Sequence, residues 1–135
     1  THFVAACGTG TTVSGILHKI QEQQKILGIS VLKGYHEMEA NVLSLAGKQT
    51  DARLHINHDY SFGGYAKFNS DLINFINEWF RRFEVPSDIV YTGKLFYAVN
   101  DLIEKNHFPT GSKIMVIHSG GLQGNRSLPT GTLVF

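Results

Sequence analysis

The sequence predicts an α/β fold, a three-layer sandwich around a mainly parallel sheet. Three observations lead there. Short apolar runs rich in β-branched residues alternate with stretches whose apolar positions recur at helical spacing. Glycine-rich polar turns separate the two kinds of segment. No internal repeat or low-complexity tract breaks this alternation over 135 residues, a length that suits one ordinary domain.

Phe3 to Cys7 is a continuous apolar run that stops at Gly8, the pattern of a buried parallel strand. Beyond the turn, Val13, Ile16, Leu17 and Ile20 recur at helical spacing between polar residues. Ile26 to Leu32 is a second strand, closed by Gly34. Met38, Val42 and Leu45 share one helical face, so Tyr35 to Ala46 is a helix ended by Gly47. Arg53 to Asn57 is a short third strand. His58 to Phe68 holds Asp59, Ser61, Gly63 and Gly64 and reads as a functional loop. Asn69 or Ser70 then caps a strongly amphipathic helix through Leu72, Ile76, Trp79 and Phe83, with Arg81 and Arg82 on its solvated side. Ile89 to Tyr91 reads as a strand-like run leading into Thr92-Gly93. Lys94 to Lys105 is helical, stopped by Pro109 and Gly111, and Lys113 to His118 is the last strand.

The bulk properties exclude several classes. A formal net charge of +1 gives no reason to expect a nucleic acid or an anionic membrane as partner. No apolar stretch is long enough to span a bilayer, and no signal peptide is visible. The lone Cys7 cannot form an internal disulfide, which suits a cytoplasmic protein. It reads as a small core residue, since no base neighbours it in sequence. His55 and His58 point to opposite faces of an extended strand, so no metal site is expected.

The segment Cys7-Gly8-Thr9-Gly10-Thr11-Thr12 has the grammar of a phosphate-binding loop: strand, Gly/Thr turn, helix. Backbone N–H groups and the positive end of the following helix can cradle a dianion there, and three threonine hydroxyls add neutral donors. A dinucleotide site fits poorly, because Val13 stands at the third glycine position. Leu32-Lys33-Gly34 also stands where an acidic ribose ligand belongs. The Lys-Ser/Thr of a Walker loop is missing. A strand-to-helix turn that is merely glycine-rich is the alternative. Two further polar glycine segments, Tyr91-Thr92-Gly93 and His118 to Gly121, follow strand-like runs. Ligands bind beyond the carboxyl ends of such strands, so the three segments are expected to converge.

Taken together, Cys7 to Gly15, Gly64-Tyr65, Val90-Tyr91-Thr92-Gly93-Lys94 and His118-Ser119-Gly120-Gly121 resemble, in order, motifs of the type II pyridoxal-phosphate enzymes. Within this tryptophan synthase β-like superfamily the similarity is to the branch of 1-aminocyclopropane-1-carboxylate (ACC) deaminase and D-cysteine desulfhydrase. The resemblance covers nearly the whole chain and implies pyridoxal 5′-phosphate as cofactor. It implies that Gly8, Thr9, Gly10, Thr11 and Thr12 hold the cofactor phosphate, with Tyr91 and Tyr65 as active-site tyrosines. Two departures stand out: Thr11 replaces a usual glycine, and Ala66-Lys67-Phe68 replaces the Gly-x-Pro continuation after Tyr65.

ACC deaminases resemble one another in carrying glutamate after the tyrosine and leucine before the late Gly-Gly. Here those positions are Thr92 and Ser119, hydroxyl residues that the resemblance places near the pyridine ring. A hydroxyl leaves the ring nitrogen largely neutral, a weaker electron sink that suits β-elimination. The expected reaction is therefore desulfhydrase-like elimination on a small amino-acid substrate rather than ACC ring opening. The family's Schiff-base lysine lies far upstream of the phosphate loop, and only Thr1 to Ala6 precede that loop here. Residues 1–135 are accordingly expected to be one α/β unit, most of the large domain of a longer enzyme. The missing amino-terminal half and a second copy in a homodimer are the expected partners. By itself the chain is expected to be inactive; the alternative is a non-catalytic phosphate-binding or interaction module derived from the same fold.

Overall fold

The computed structural model describes residues 1–135. Four strands form one parallel sheet: β1 (His2–Cys7), β2 (Lys25–Ser30), β3 (Leu54–Asn57) and β4 (Ile114–Ile117), in the order β3-β2-β1-β4. The helices are α1 (Thr11–Lys19), α2 (Met38–Leu45), α3 (Ser70–Phe83) and α4 (Thr92–Glu104), and a 3₁₀ segment spans Leu122–Ser127. None of the helices is long and apolar enough to cross a membrane.

The alternation of side chains along each strand builds the three layers. Ala5, Cys7, Ile26, Leu54 and Ile56 share one core with Val13 and Leu17 of α1 and Met38 and Val42 of α2. Val4, Leu27 and Ile29 belong to the opposite core, with Leu95, Ala98, Val99 and Leu102 of α4. A third cluster joins Leu72 and Ile76 of α3 to Ile89 and Val90, so α3 packs outside α4.

Element ends follow local chemistry. The second strand stops at Ser30, short of Leu32, because Ser30 Oγ accepts from Leu32 N at 3.3 Å and turns the chain. The second helix starts at Met38 rather than Tyr35, after a turn closed by Met38 N to Tyr35 O. Its carboxyl end is a Schellman motif: Lys48 N donates to Leu43 O, Gly47 N donates to Ser44 O, and Gly47 has φ 67°. Asn69 caps α3, its Oδ1 accepting from Leu72 N at 3.0 Å.

One expected element does not form. Ile89 to Tyr91 is buried but is not a strand, because its backbone donors are taken by side chains. Val90 N and Tyr91 N donate to Asp88 Oδ2 at 2.8 and 2.9 Å, and Ile89 N donates to Asn125 Oδ1 at 3.0 Å. No N–H in this run is left for a ladder.

Candidate functional site

The turn after β1 enters α1 through Gly10, whose φ of 89° is the left-handed region that glycine reaches without a Cβ penalty. No side chain caps α1, and its first-turn N–H groups open toward solvent at the carboxyl end of the central strand. Thr9, Thr11 and Thr12 are exposed there, with 3.1 Å between Thr9 Oγ1 and Thr11 Oγ1. Helix α2 braces the turn from behind. Asn41 Nδ2 donates to Thr9 O at 2.8 Å, and a Cβ on Gly10 would come within 2.8 Å of Val42 Cγ2.

The turn forms one wall of a cavity of about 310 Å³ lined by Ala6, Gly8 to Thr12, Tyr91, Ser119 to Gly121 and Gln123. All three glycine segments therefore meet. They meet because β4 pairs with β1, which sets the 118–121 turn beside the 8–12 turn. Tyr91 arrives from the start of α4, and its ring packs on Gly8, where an added Cβ would lie 3.1 Å from Tyr91 Cε1.

His118 shapes the third wall. Gly120 N donates to His118 Nδ1 at 3.1 Å, so that nitrogen is the acceptor and Nε2 carries the hydrogen that faces Pro86 O at 2.8 Å. Ser119, between these contacts, is exposed to the cavity. Cys7 lies beneath the turn in the core, and burial pushes its thiol up to about 11, which makes it unreactive.

Tyr65 comes to Tyr91 from the 61–68 loop, with ring centroids 6.0 Å apart in an edge-to-face arrangement. Burial, then the neighbouring Tyr65 phenol and the Asp88 charge, push Tyr91 up to about 12. Tyr91 is thus a neutral O–H group at ordinary pH. Tyr65 is exposed and does not line the cavity.

Thr92 is fully buried and turned away from the cavity wall. Its Oγ1 donates to Asp88 Oδ1 at 2.6 Å and accepts from Asp88 N at 2.9 Å. Asp88 is the hub of this corner. Its carboxylate, itself fully buried, accepts from Val90 N, Tyr91 N, Thr92 N and Thr92 Oγ1. It sits at the amino-terminal end of α4. Gly121 and Gly124 pack on it, their would-be Cβ atoms 3.3 and 3.1 Å from its oxygens, so it stands behind the Gly-Gly wall.

These geometric features have counterparts in known proteins. No protein-family model matches the chain. A candidate ACC deaminase of Pyrococcus horikoshii is 33% identical over 131 residues, covering 90% of this chain and 39% of the relative. The ACC deaminase of Methylobacterium nodulans is 26% identical over 133 residues, 89% of this chain and 40% of its own length. The crystal structure of an ACC deaminase homologue superposes with a TM-score of 0.77 at 31% identity, covering 92% of this chain and 40% of that one. Over about nine-tenths of its length this chain is similar to part of these proteins. It spans about 40% of the length of the curated relatives it matches.

The corner around the cavity contains groups that the sequence pattern does not single out: Asp88, Asn41, Asn125 and Gln123. Asp88 is visible in sequence only as an acid in the 84–88 segment that ends α3, four residues before Thr92. Nothing in the sequence ties Asn41 to Thr9, 32 residues earlier. Lys94 is fully buried and absent from the cavity wall; its Nζ donates to Ser61 O and Gly64 O, both at 2.7 Å.

The unpaired N–H groups of an uncapped helix start, the neutral hydroxyls and the glycine floor that no Cβ fills form an anion cradle with room for a ring beside it. The residues present fit pyridoxal 5′-phosphate.

Proposed function

We propose that this chain carries the phosphate-holding part of a pyridoxal 5′-phosphate-dependent lyase or deaminase that acts on a small amino acid. The observation that carries the reading is the uncapped start of α1, which opens with three threonine hydroxyls into a cavity flanked by Tyr91. In this reading the N–H groups of Gly8 to Thr12 and those hydroxyls hold the phosphate. When bound, the cofactor supplies the electron sink for charge developing at the substrate Cα. Tyr91, held neutral up to about 12, donates a hydrogen bond or a proton rather than acting as a phenolate base. Tyr65 orients it from the side.

Ser119, Gln123 and the threonines offer neutral groups to the cavity, while Asp88 stands behind the wall with its oxygens already bonded. This supports D-cysteine desulfhydrase-like β-elimination over ACC ring opening. Thr92 takes no part in this, since its hydroxyl is bonded to Asp88, and Ser119 offers the hydroxyl instead. No lysine lines the cavity. In this reading the Schiff-base lysine comes from the remainder of a longer protein, and the 135-residue chain alone is inactive.

Steady-state assays on the full-length protein test this. D-cysteine is expected to yield pyruvate faster than ACC yields 2-oxobutanoate, and faster preference for ACC would overturn the desulfhydrase assignment. Full-length protein that neither retains pyridoxal 5′-phosphate after desalting nor shows its visible absorption would overturn the cofactor.

A further inference from the structure

Burying a lysine without an acidic partner is costly, because its ammonium must leave water. Lys94 is fully buried, in the first turn of α4, and makes no ion pair. Burial lowers it to about 8, against an opposing effect of the Asp88 charge. Its neighbours Leu95 and Phe96 are apolar and buried, so packing alone has no need of an amine here.

What the amine does is hold a difficult turn. Between Ser61 and Tyr65 the backbone takes positive φ at Phe62 (52°), Gly63 (96°) and Gly64 (122°), and Ala66 (54°) follows. Two of these are non-glycine residues, for which the left-handed region is unfavourable. Local bonds from Gly64 N to Ser61 O and from Lys67 N to Gly64 O are the backbone support of the turn. Lys94 Nζ donates to those same two carbonyl oxygens, so one ammonium ties both ends of the turn to α4. Tyr91 precedes Lys94 by three residues, less than one helical turn. A single stretch of chain therefore carries Tyr91 and the clamp for Tyr65.

We propose that Lys94 is a positioning residue: through Ser61 O and Gly64 O its ammonium fixes the turn that sets Tyr65 against Tyr91. The proposal rests on reading the tyrosine pair as part of the site. Its test does not depend on the lyase assay. In the full-length protein, Lys94→Met is expected to raise amide exchange in the 61–67 segment by roughly tenfold or more while β1 and β2 exchange as in the parent. Unchanged exchange at 61–67, or an increase of equal size throughout the sheet, would overturn it. In the unmutated protein, competitive acetylation provides a second measurement that needs no variant. Lys94 is expected to react far more slowly than Lys33 or Lys67, and to gain reactivity in step with opening of the 61–67 amides under mild denaturant. Acetylation of Lys94 at the rate of Lys33 sinks the proposal.

Where D-cysteine turnover is measurable, K94M is expected to lower kcat about as much as Tyr65→Phe with pyridoxal 5′-phosphate affinity unchanged. The double variant should be no slower than the slower single one, and additive losses argue against action through Tyr65. Absence of any turnover bears on the lyase reading and leaves the exchange and acetylation results to decide Lys94.

Discussion

Asp88 organises more of the site than any residue that lines it. Four donors converge on one buried carboxylate, and three of them are backbone N–H groups that fix where Tyr91 starts α4. Asp88→Asn keeps the shape but replaces acceptors with an NH₂ group facing N–H donors. Such a change is expected to destabilise the fold by about 2–3 kcal/mol, read by chemical denaturation, and to weaken pyridoxal 5′-phosphate binding because Tyr91 is released. At Gly8 the constraint is contact rather than charge, since any Cβ meets the Tyr91 ring at 3.1 Å. Gly8→Val is expected to cost about 1–3 kcal/mol through overpacking and to alter the near-ultraviolet signal of the tyrosines. The Gly/Thr signature was legible in sequence because it is local. Asp88 was not singled out, because its partners become visible only when the chain turns back on it.

Among the elements, α4 does the most, because it meets the sheet on one face, α3 on another and the 61–64 turn at its start. Gly93 permits the close approach of α3: a Cβ there would lie 2.5 Å from Ile76 Cδ1 and 2.6 Å from Asp88 O. Backbone cannot yield as a side-chain tip can, so Gly93→Ala is expected to lower stability by about 2 kcal/mol or more, measured by urea denaturation. The Lys94 ammonium gives α4 a pH signature. Its folded value of about 8 lies below the ordinary 10.5, so the unfolded chain binds more protons between these limits. Stability contributed by this group therefore rises as pH increases from about 8 toward 10.5, by about 3 kcal/mol in all. The buried thiol of Cys7 and the phenol of Tyr91 act in the opposite sense above about 9, since their folded values are raised. Subtracting the K94M stability curve from that of the parent isolates the lysine, and a flat difference across this range would contradict the lowering of Lys94 by burial. Helical periodicity made α1, α3 and α4 legible to within a few residues. Ile89 to Tyr91 looked like a strand because burial and β-branching are common to strands and to buried capping segments. Only the bonds to Asp88 and Asn125 separate the two.

For the whole molecule, the sheet order assembles the cavity. Pairing β1 with both β2 and β4 puts the Gly/Thr turn at the centre and brings the Ser119 turn beside it. Parallel pairing was implied by the alternation of strands and helices, but the position of β4 next to β1 was not, since 105 residues lie between Cys7 and Lys113. The two outer strands remain edges. β4 is only half-covered, with Met115 51% exposed, and Val134 and Phe135 add apolar surface at 44% and 41%. Exposed edges and apolar surface favour pairing with other chains. The 135-residue polypeptide is expected to gain mass with concentration in sedimentation experiments, and Met115→Lys is expected to reduce that gain. A concentration-independent monomer would show that these edges are adequately protected.

The sequence by itself determined the α/β class, the strand–turn–helix at Gly8 to Thr12 and the positions of most elements. Those features rest on periodicity and backbone permissiveness, which act over a few residues. The tertiary structure decided which hydroxyls reach the cavity, turning Thr92 inward to Asp88 and leaving Ser119 at the wall. It also decided that Lys94 clamps a turn 30 residues away. A buried polar group must find partners wherever the packed chain supplies them, and that search is settled by the fold rather than by neighbours in sequence.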